Sequence, residues 1–324
     1  MKVSRLGQYV TLMLRSGLVD RNRLNSIVQE LQQDKPAERL TISMVARRLI
    51  DLRLITLWNH RLLMKGCTEG FLIGGYKLLY PLGAGGMCRV FLVEHGQLRR
   101  RMALKIMSSE SARDPVQVQR FYLEARMLGR LNHSGIITLH DVGRAAGRHF
   151  MALEYFPGVD MQQLVDRNGM LPCKTAAEYV CQIADALDHL HRQRLVHRDV
   201  KPANMLASGD GRVKLIDMGL ALDQEIDHSL TRIQRAEMLG TTDYVAPEQI
   251  EDCHNVGRQA DVYSLGCTLY FLLTGRPPFP EGSMMQRLMC HQGIEPPPVD
   301  KVRTTVPDKL AKLCHEMLVK DPLR

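Results

Sequence analysis

The densest chemistry in the sequence lies in eight residues, His197-Arg198-Asp199-Val200-Lys201-Pro202-Ala203-Asn204, which follow an apolar helical run from Ile183 to Leu195. Asp199 can take a proton from a hydroxyl, Lys201 can hold a negative oxygen, and Asn204 can ligate a metal through its side-chain carbonyl. Pro202 sets its own φ at about −65° and disfavours helix at Lys201, so the stretch reads as a non-helical loop presenting three polar heads. Any one of these heads alone reads as a solvated loop residue. Their spacing is what carries information.

Other elements must bring further groups to such a loop. Strand-like sequence from Tyr76 to Tyr80 leads into Leu82-Gly83-Ala84-Gly85-Gly86-Met87-Cys88-Arg89-Val90. A Gly-x-Gly turn between strands lets backbone N–H groups approach phosphate oxygens without interference from Cβ. Met102-Ala103-Leu104-Lys105 is an apolar strand ending in a cation, which needs a counter-charge. Glu124 is the candidate, on a helix whose Phe121, Ala125 and Leu128 face inward with it. Val213 to Ile216 reads as a strand delivering Asp217-Met218-Gly219.

From Tyr76 to the last residue, these motifs resemble those of bacterial-type (eukaryotic-like) serine/threonine protein kinases: G-x-G-x-x-x-x-V, A-L-K, H-R-D-x-K-x-x-N, D-M-G and A-P-E. The fold implied is α+β and two-lobed, with a small β-rich lobe carrying one main helix and a larger, mostly helical lobe. The resemblance makes Asp199 the group that orients and deprotonates a protein hydroxyl and Lys201 a holder of developing charge. Lys105, paired with Glu124, would meet the ATP phosphates beneath Gly83 and Gly85. Leu82, Val90, Ala103 and Leu206 would sandwich the base, with Leu153 behind it and Glu154-Tyr155-Phe156 as the hinge. Asp160 is a candidate ribose contact. Asn204 and Asp217 would hold Mg2+, with Mn2+ as the alternative ion. The activation loop would run from Asp217 to Glu248, with Thr241 bonded to Asp199 and Lys201. Arg198 would receive a phosphate placed by autophosphorylation on Thr231 or Ser229. Asp261, at the start of an apolar helix, would accept hydrogen bonds from the catalytic-loop backbone.

The sequence departs from the family pattern at three places. Cys88 stands at the third glycine, where small residues are tolerated, and reads either as an inert thiol or as a reactive one near ATP. Met218 replaces phenylalanine, where a flexible thioether can fill the packing slot. The arginine that usually pairs with the A-P-E glutamate would fall at position 325, so the kinase domain is expected to be truncated at its last helix and the natural protein to continue.

Composition sets the remaining bounds. The chain has 324 residues, enough for one large two-lobed domain and an appendage. Residues 1–65 read as an all-α appendage, residues 66–75 as a Gly-rich linker, and residues 76–324 as the kinase domain, with lobes at 76–153 and 157–324. Asp20, Thr41 or Ser43, and Thr56 are candidate helix caps. Leu18-Val19-Asp20 and Leu54-Ile55-Thr56 echo one another, hinting at a duplicated helical hairpin. Of a net charge of +8, residues 1–70 contribute the larger part, holding 12 Lys/Arg against 6 Asp/Glu. Solvated helix faces explain such charge more often than nucleic acid or anionic lipid, and no aromatic residues are interleaved to stack on bases. No apolar run reaches the roughly 20 residues of a membrane helix, no signal peptide is expected, and any membrane anchor would lie beyond residue 324. The eight cysteines include no C-x-x-C pair and read as reduced thiols in a cytoplasmic protein.

The partners expected are ATP and a protein carrying Ser or Thr, with pairing of two copies through the small lobe by likeness to bacterial relatives. Two other readings stay open on sequence alone: a nucleotide-binding scaffold without catalysis, and an appendage that is itself the main module, targeting a partner or nucleic acid.

Overall fold

The computed structural model describes residues 3–34, 39–218, 242–252 and 256–322, together with the backbone of 222–223. Ser229, Thr231 and Thr241 lie outside the described residues. The chain forms two compact units, one of residues 1–118 and 139–155, the other of 119–138 and 156–324.

The first unit opens with four helices, α1 (Leu6–Ser16), α2 (Arg21–Asp34), α3 (Ile42–Asp51) and α4 (Leu57–Met64). Each expected capping position is used. Asp20 Oδ1 accepts from Arg23 N–H at 2.8 Å, Thr41 rather than Ser43 caps α3, and Thr56 forms a reciprocal box with Asn59 at the start of α4. Tyr9, Met13, Leu24, Ile27, Val45, Leu49 and Leu63 make an apolar core for these helices, and Phe71 joins it from the glycine-rich stretch that follows.

A six-stranded antiparallel sheet comes next, in the order β1-β2-β3-β4-β6-β5. Its strands are β1 (Leu72–Ile73), β2 (Tyr76–Ala84), β3 (Cys88–His95), β4 (Arg101–Met107), β5 (Leu139–Ala145) and β6 (Arg148–Glu154). Strand alternation divides its side chains cleanly. Leu78, Val93, Met102, Leu104, Phe150 and Ala152 form one apolar cluster, joined by Phe91 and by Trp58 of α4. The register pairs Val90 with Lys105 and Leu92 with Ala103, and then Lys105 with Met151 and Ala103 with Leu153, so these residues share the opposite face.

In the second unit, α5 (Pro115–Arg130, which begins in the first unit) is followed by β7 (Gly158–Asp160), α6 (Met161–Asn168), α7 (Cys173–Arg192) and β8 (Leu195–Val196). After β9 (Met205–Ser208), β10 (Val213–Leu215) and β11 (Leu222–Asp223), the helices α8 (Pro247–Glu251), α9 (Gln259–Thr274), α10 (Met284–Gly293), α11 (Val299–Val302) and α12 (Asp308–Met317) complete it. Every residue of α9 from Tyr263 to Leu273 is buried, and Gly275 at φ +77° ends the helix as its left-handed cap. α9 packs on α7 and α12 and is the axis of this unit.

Candidate active site

The loop His197–Asn204 enters from β8 and leaves through a single 3-10 turn over Pro202–Asn204, as a proline at that position favours. Arg198 has φ +65°, a left-handed conformation that costs a side-chain-bearing residue of the order of 1–3 kcal/mol and persists only where its surroundings enforce it. Three hydrogen bonds do so here. The N–H groups of His197 and Arg198 donate to the two carboxylate oxygens of Asp261, at 2.9 and 2.8 Å. The Arg198 carbonyl accepts from Gln249 Nε2 at 3.0 Å. Asp261 is fully buried on α9 and gains a further partner in His191 Nε2, 2.8 Å from Oδ2. A buried carboxylate is tolerable only when its oxygens are occupied in this way.

The loop braced in this way gathers three of the expected residues. Lys201 Nζ lies 2.8 Å from Asp199 Oδ2, and Asn204 Nδ2 donates to both the carbonyl and Oδ2 of Asp199 at 2.9 Å. Asp199 N–H in turn donates to His197 Nδ1 at 3.2 Å. Burial pushes the Asp199 carboxyl above the ordinary carboxylate range, opposed chiefly by the Lys201 charge, while the nearby negative charge of Asp217 adds to the rise. Since Asn204 spends its N–H groups on Asp199, its Oδ1 is the atom left for a cation. The N–H of Ile216 donates to the Asn204 carbonyl at 3.0 Å, so the strand end bearing Asp217 is tied to the loop bearing Asn204. Two hard oxygen donors suit a divalent ion that takes its other ligands from phosphate and water. Among the described residues no cluster of three or more metal-ligating His, Cys, Asp or Glu side chains is present.

In the first unit, the sheet face bearing Val90, Ala103, Lys105 and Leu153 adjoins the turn Gly83–Gly86. A Cβ added at Gly83 or Gly86 would meet nothing within 4 Å, and one at Gly85 only the Cys88 carbonyl at 3.9 Å. Packing within the turn therefore does not demand glycine, and the open space suits a ligand brought up against the backbone. Leu82 is exposed beside the turn, and Cys88 is buried, favouring the inert reading of its thiol. Glu154 ends β6 opposite Met102.

In the second unit, Glu124 is buried on α5 together with Phe121, Ala125 and Leu128, as their spacing predicts. Leu206 is half-buried on β9, and the Phe156 ring is buried with the Arg212 guanidinium 5.7 Å from its centre. Asp160 caps α6, both of its oxygens accepting from Gln163, so its side chain is already engaged by its own helix. Met218 is buried, consistent with a packing role. His191 and Gln249 were not foreseen from sequence. Nothing in their local pattern marks either one, apart from the position of Gln249 directly after Ala246-Pro247-Glu248.

A two-unit α+β chain with a braced Asp-Lys-Asn loop defines a phosphoryl-transfer class of protein, and comparison with known proteins makes that class specific. Residues 76–324 match the protein kinase domain model, and the chain belongs to that family. Among its relatives, it is 36% identical over 259 residues to serine/threonine-protein kinase PknB of Mycobacterium leprae, covering 79% of this chain and 41% of that one. To serine/threonine-protein kinase PrkC of Bacillus subtilis it is 32% identical over 249 residues, with 77% and 38% covered. The chain thus spans about two-fifths of the length of the curated relatives it matches. The family uses ATP and a divalent metal.

Proposed function

We propose that this chain transfers the γ-phosphoryl group of ATP to serine or threonine hydroxyls of protein substrates, with Mg2+ as the metal. The observation that carries this reading is the Asp199 carboxylate with Lys201 Nζ and Asn204 Nδ2 both on Oδ2, on a loop braced by Asp261. Asp199 receives the proton of the attacking hydroxyl, whose oxygen bonds to the γ-phosphorus as the bond to the bridging oxygen breaks and ADP leaves. Lys201 faces the charge that develops on the transferred group, and Lys105 with Glu124 holds the other phosphates. The glycine turn, Leu82, Val90, Ala103, Leu153, Glu154, Phe156 and Leu206 hold the nucleotide. Asn204 and Asp217 hold the metal, which when bound neutralises phosphate charge. Most of the catalysis is positioning and electrostatics. The two departures among the described residues, Cys88 and Met218, remove no catalytic atom.

A mixture of peptides bearing Ser, Thr or Tyr as the sole hydroxyl tests the specificity. Label is expected on the first two when magnesium is supplied, and label on the tyrosine peptide alone would contradict the proposal. Regulation by autophosphorylation at Thr231 or Ser229, with Arg198 as receptor, belongs to the same proposal and rests on the position of Arg198 directly before Asp199. Mass mapping after incubation with ATP and magnesium should find phosphate between residues 217 and 248; an unmodified segment would refute it. Pairing of two copies through the small lobe and a cytoplasmic location are proposed on likeness to the family. Among the described residues, no helix is long and apolar enough to cross a membrane.

A further inference from the structure

The four N-terminal helices are tied to the strand that carries Gly83 by side chains with no part in the chemistry above. Thr56 Oγ1 donates to the Leu79 carbonyl at 2.6 Å, and Asn59 Nδ2 donates to the Leu78 carbonyl at 2.9 Å. The β2–β3 register shifts between Leu78 and Tyr80, so these bonds fall on a bulge in β2, where ladder pairing is interrupted. In the reverse direction, Lys77 Nζ donates to the carbonyls of Leu18, at 3.3 Å, and Leu54. Those two carbonyls occupy equivalent places in the echoed segments Leu18-Val19-Asp20 and Leu54-Ile55-Thr56, so one lysine reads both inter-helix turns. Trp58 packs against Phe91, ring centres 5.7 Å apart, and Phe91 is the neighbour of Val90 in β3.

Of these contacts, the Trp58–Phe91 pair lies on the sheet face opposite Val90, Ala103 and Lys105, the Thr56 and Asn59 bonds meet the β2 backbone, and the register places Lys77 with Glu94 on the Val90 face. The glycine turn has little packing of its own, as the open space over Gly83 and Gly86 indicates. Its pose must then be set by the roots of β2 and β3, which is where the helices attach. Asn59 is fully buried, so a shift of β2 that broke its bond to the Leu78 carbonyl while the helices stayed packed would leave a buried donor without its partner.

We infer that the N-terminal helical bundle is a positioning element for the nucleotide, with Asn59, Thr56 and Lys77 fixing the β2 bulge and through it the glycine turn. The inference rests on the kinase reading. If the bonds instead only glue the bundle down, their loss would lower stability without a selective effect on nucleotide affinity.

Asn59→Asp separates the two cases. It keeps Oδ1 for the Thr56 N–H and hydroxyl, preserving the α4 cap, but sets an oxygen against the Leu78 carbonyl. Lys77→Met is the second variant, keeping the stem and losing the donor. In the full chain, direct binding of a fluorescent ATP analogue should weaken about five- to tenfold in each, of the order one or two hydrogen bonds supply. KM for ATP should rise by the same factor while kcat stays within about twofold of the wild-type value, and amides 79–92 should exchange faster with deuterium. Wild-type affinity in both variants, or equal losses in affinity and kcat, would overturn the inference. A wild-type chain that binds the analogue but transfers no phosphate would refute the kinase reading alone, since the affinity comparison still tests the clamp.

Discussion

Asp261 illustrates what a single buried side chain does for this site. Its two oxygens accept the N–H groups that set the His197–Arg198 backbone, and an amide of the same shape has only one oxygen for two donors. Asp261→Asn is expected to lower kcat by about 10²-fold through misplacement of Asp199, and to cost about 1–3 kcal/mol of stability. Steady-state kinetics and denaturant titration read the two effects; an unchanged kcat would contradict the bracing role. The raised Asp199 pKa has a definite sign. The carboxyl holds its proton to higher pH than a free aspartate, so the base is lost as pH falls through the raised value, and the acid limb of kcat/KM should lie above the ordinary carboxylate range. His291 works in the opposite sense. Burial lowers its pKa to about 3 while Tyr263 OH lies 2.9 Å from Nδ1, so the folded chain keeps it neutral. The unfolded chain takes up the proton below about 6.5, and stability should fall from there to about pH 3 by ~1.4 kcal/mol per pH unit from this residue. His291→Gln should flatten that slope in unfolding measured from pH 7 to 4, and an identical slope would contradict it. The loop His197–Asn204 was legible because its chemistry is local. His191 on Asp261 and Gln249 on Arg198 were not, because they reach across 70 and 51 residues, where only the fold decides what meets.

Helix ends and strand faces show the same division. Asp20, Thr41 and Thr56 were readable as caps because each bonds an N–H three residues on. The strand Leu72–Ile73 inside the glycine-rich stretch was not foreseen, since two residues carry no period to read. Asp160, expected beside a ribose, also obeys the local rule that finds caps, which explains its place at the start of α6. Close helix contact is also invisible in the chain. A Cβ added at Gly266 would stand 2.8 Å from Met317 Cβ and 3.3 Å from Leu318 Cδ2, where α9 meets the end of α12. Gly266→Ala should therefore lower stability by about 1–3 kcal/mol despite the better helix propensity of alanine. Chemical denaturation checks this, and a stabilised variant would show that α12 yields freely.

Across the whole molecule, the family match begins at Tyr76, while the compact unit that contains the sheet begins at the N-terminus. The sequence divides at the glycine-rich stretch by composition, but Phe71, Trp58, Asn59 and Lys77 join what composition separates. The basic excess of residues 1–70 thus belongs to a stretch that shares a unit with the six-stranded sheet. The central claim, that phosphate is transferred by the loop built on Asp199, has a direct test. Wild-type chain and Asp199→Asn are incubated with radiolabelled ATP, magnesium and a Ser/Thr protein substrate, after both are shown to bind a fluorescent ATP analogue. The wild type should label the substrate, and the variant should do so at least about 10²-fold more slowly. Equal labelling by the two would contradict the assignment of catalysis to this site.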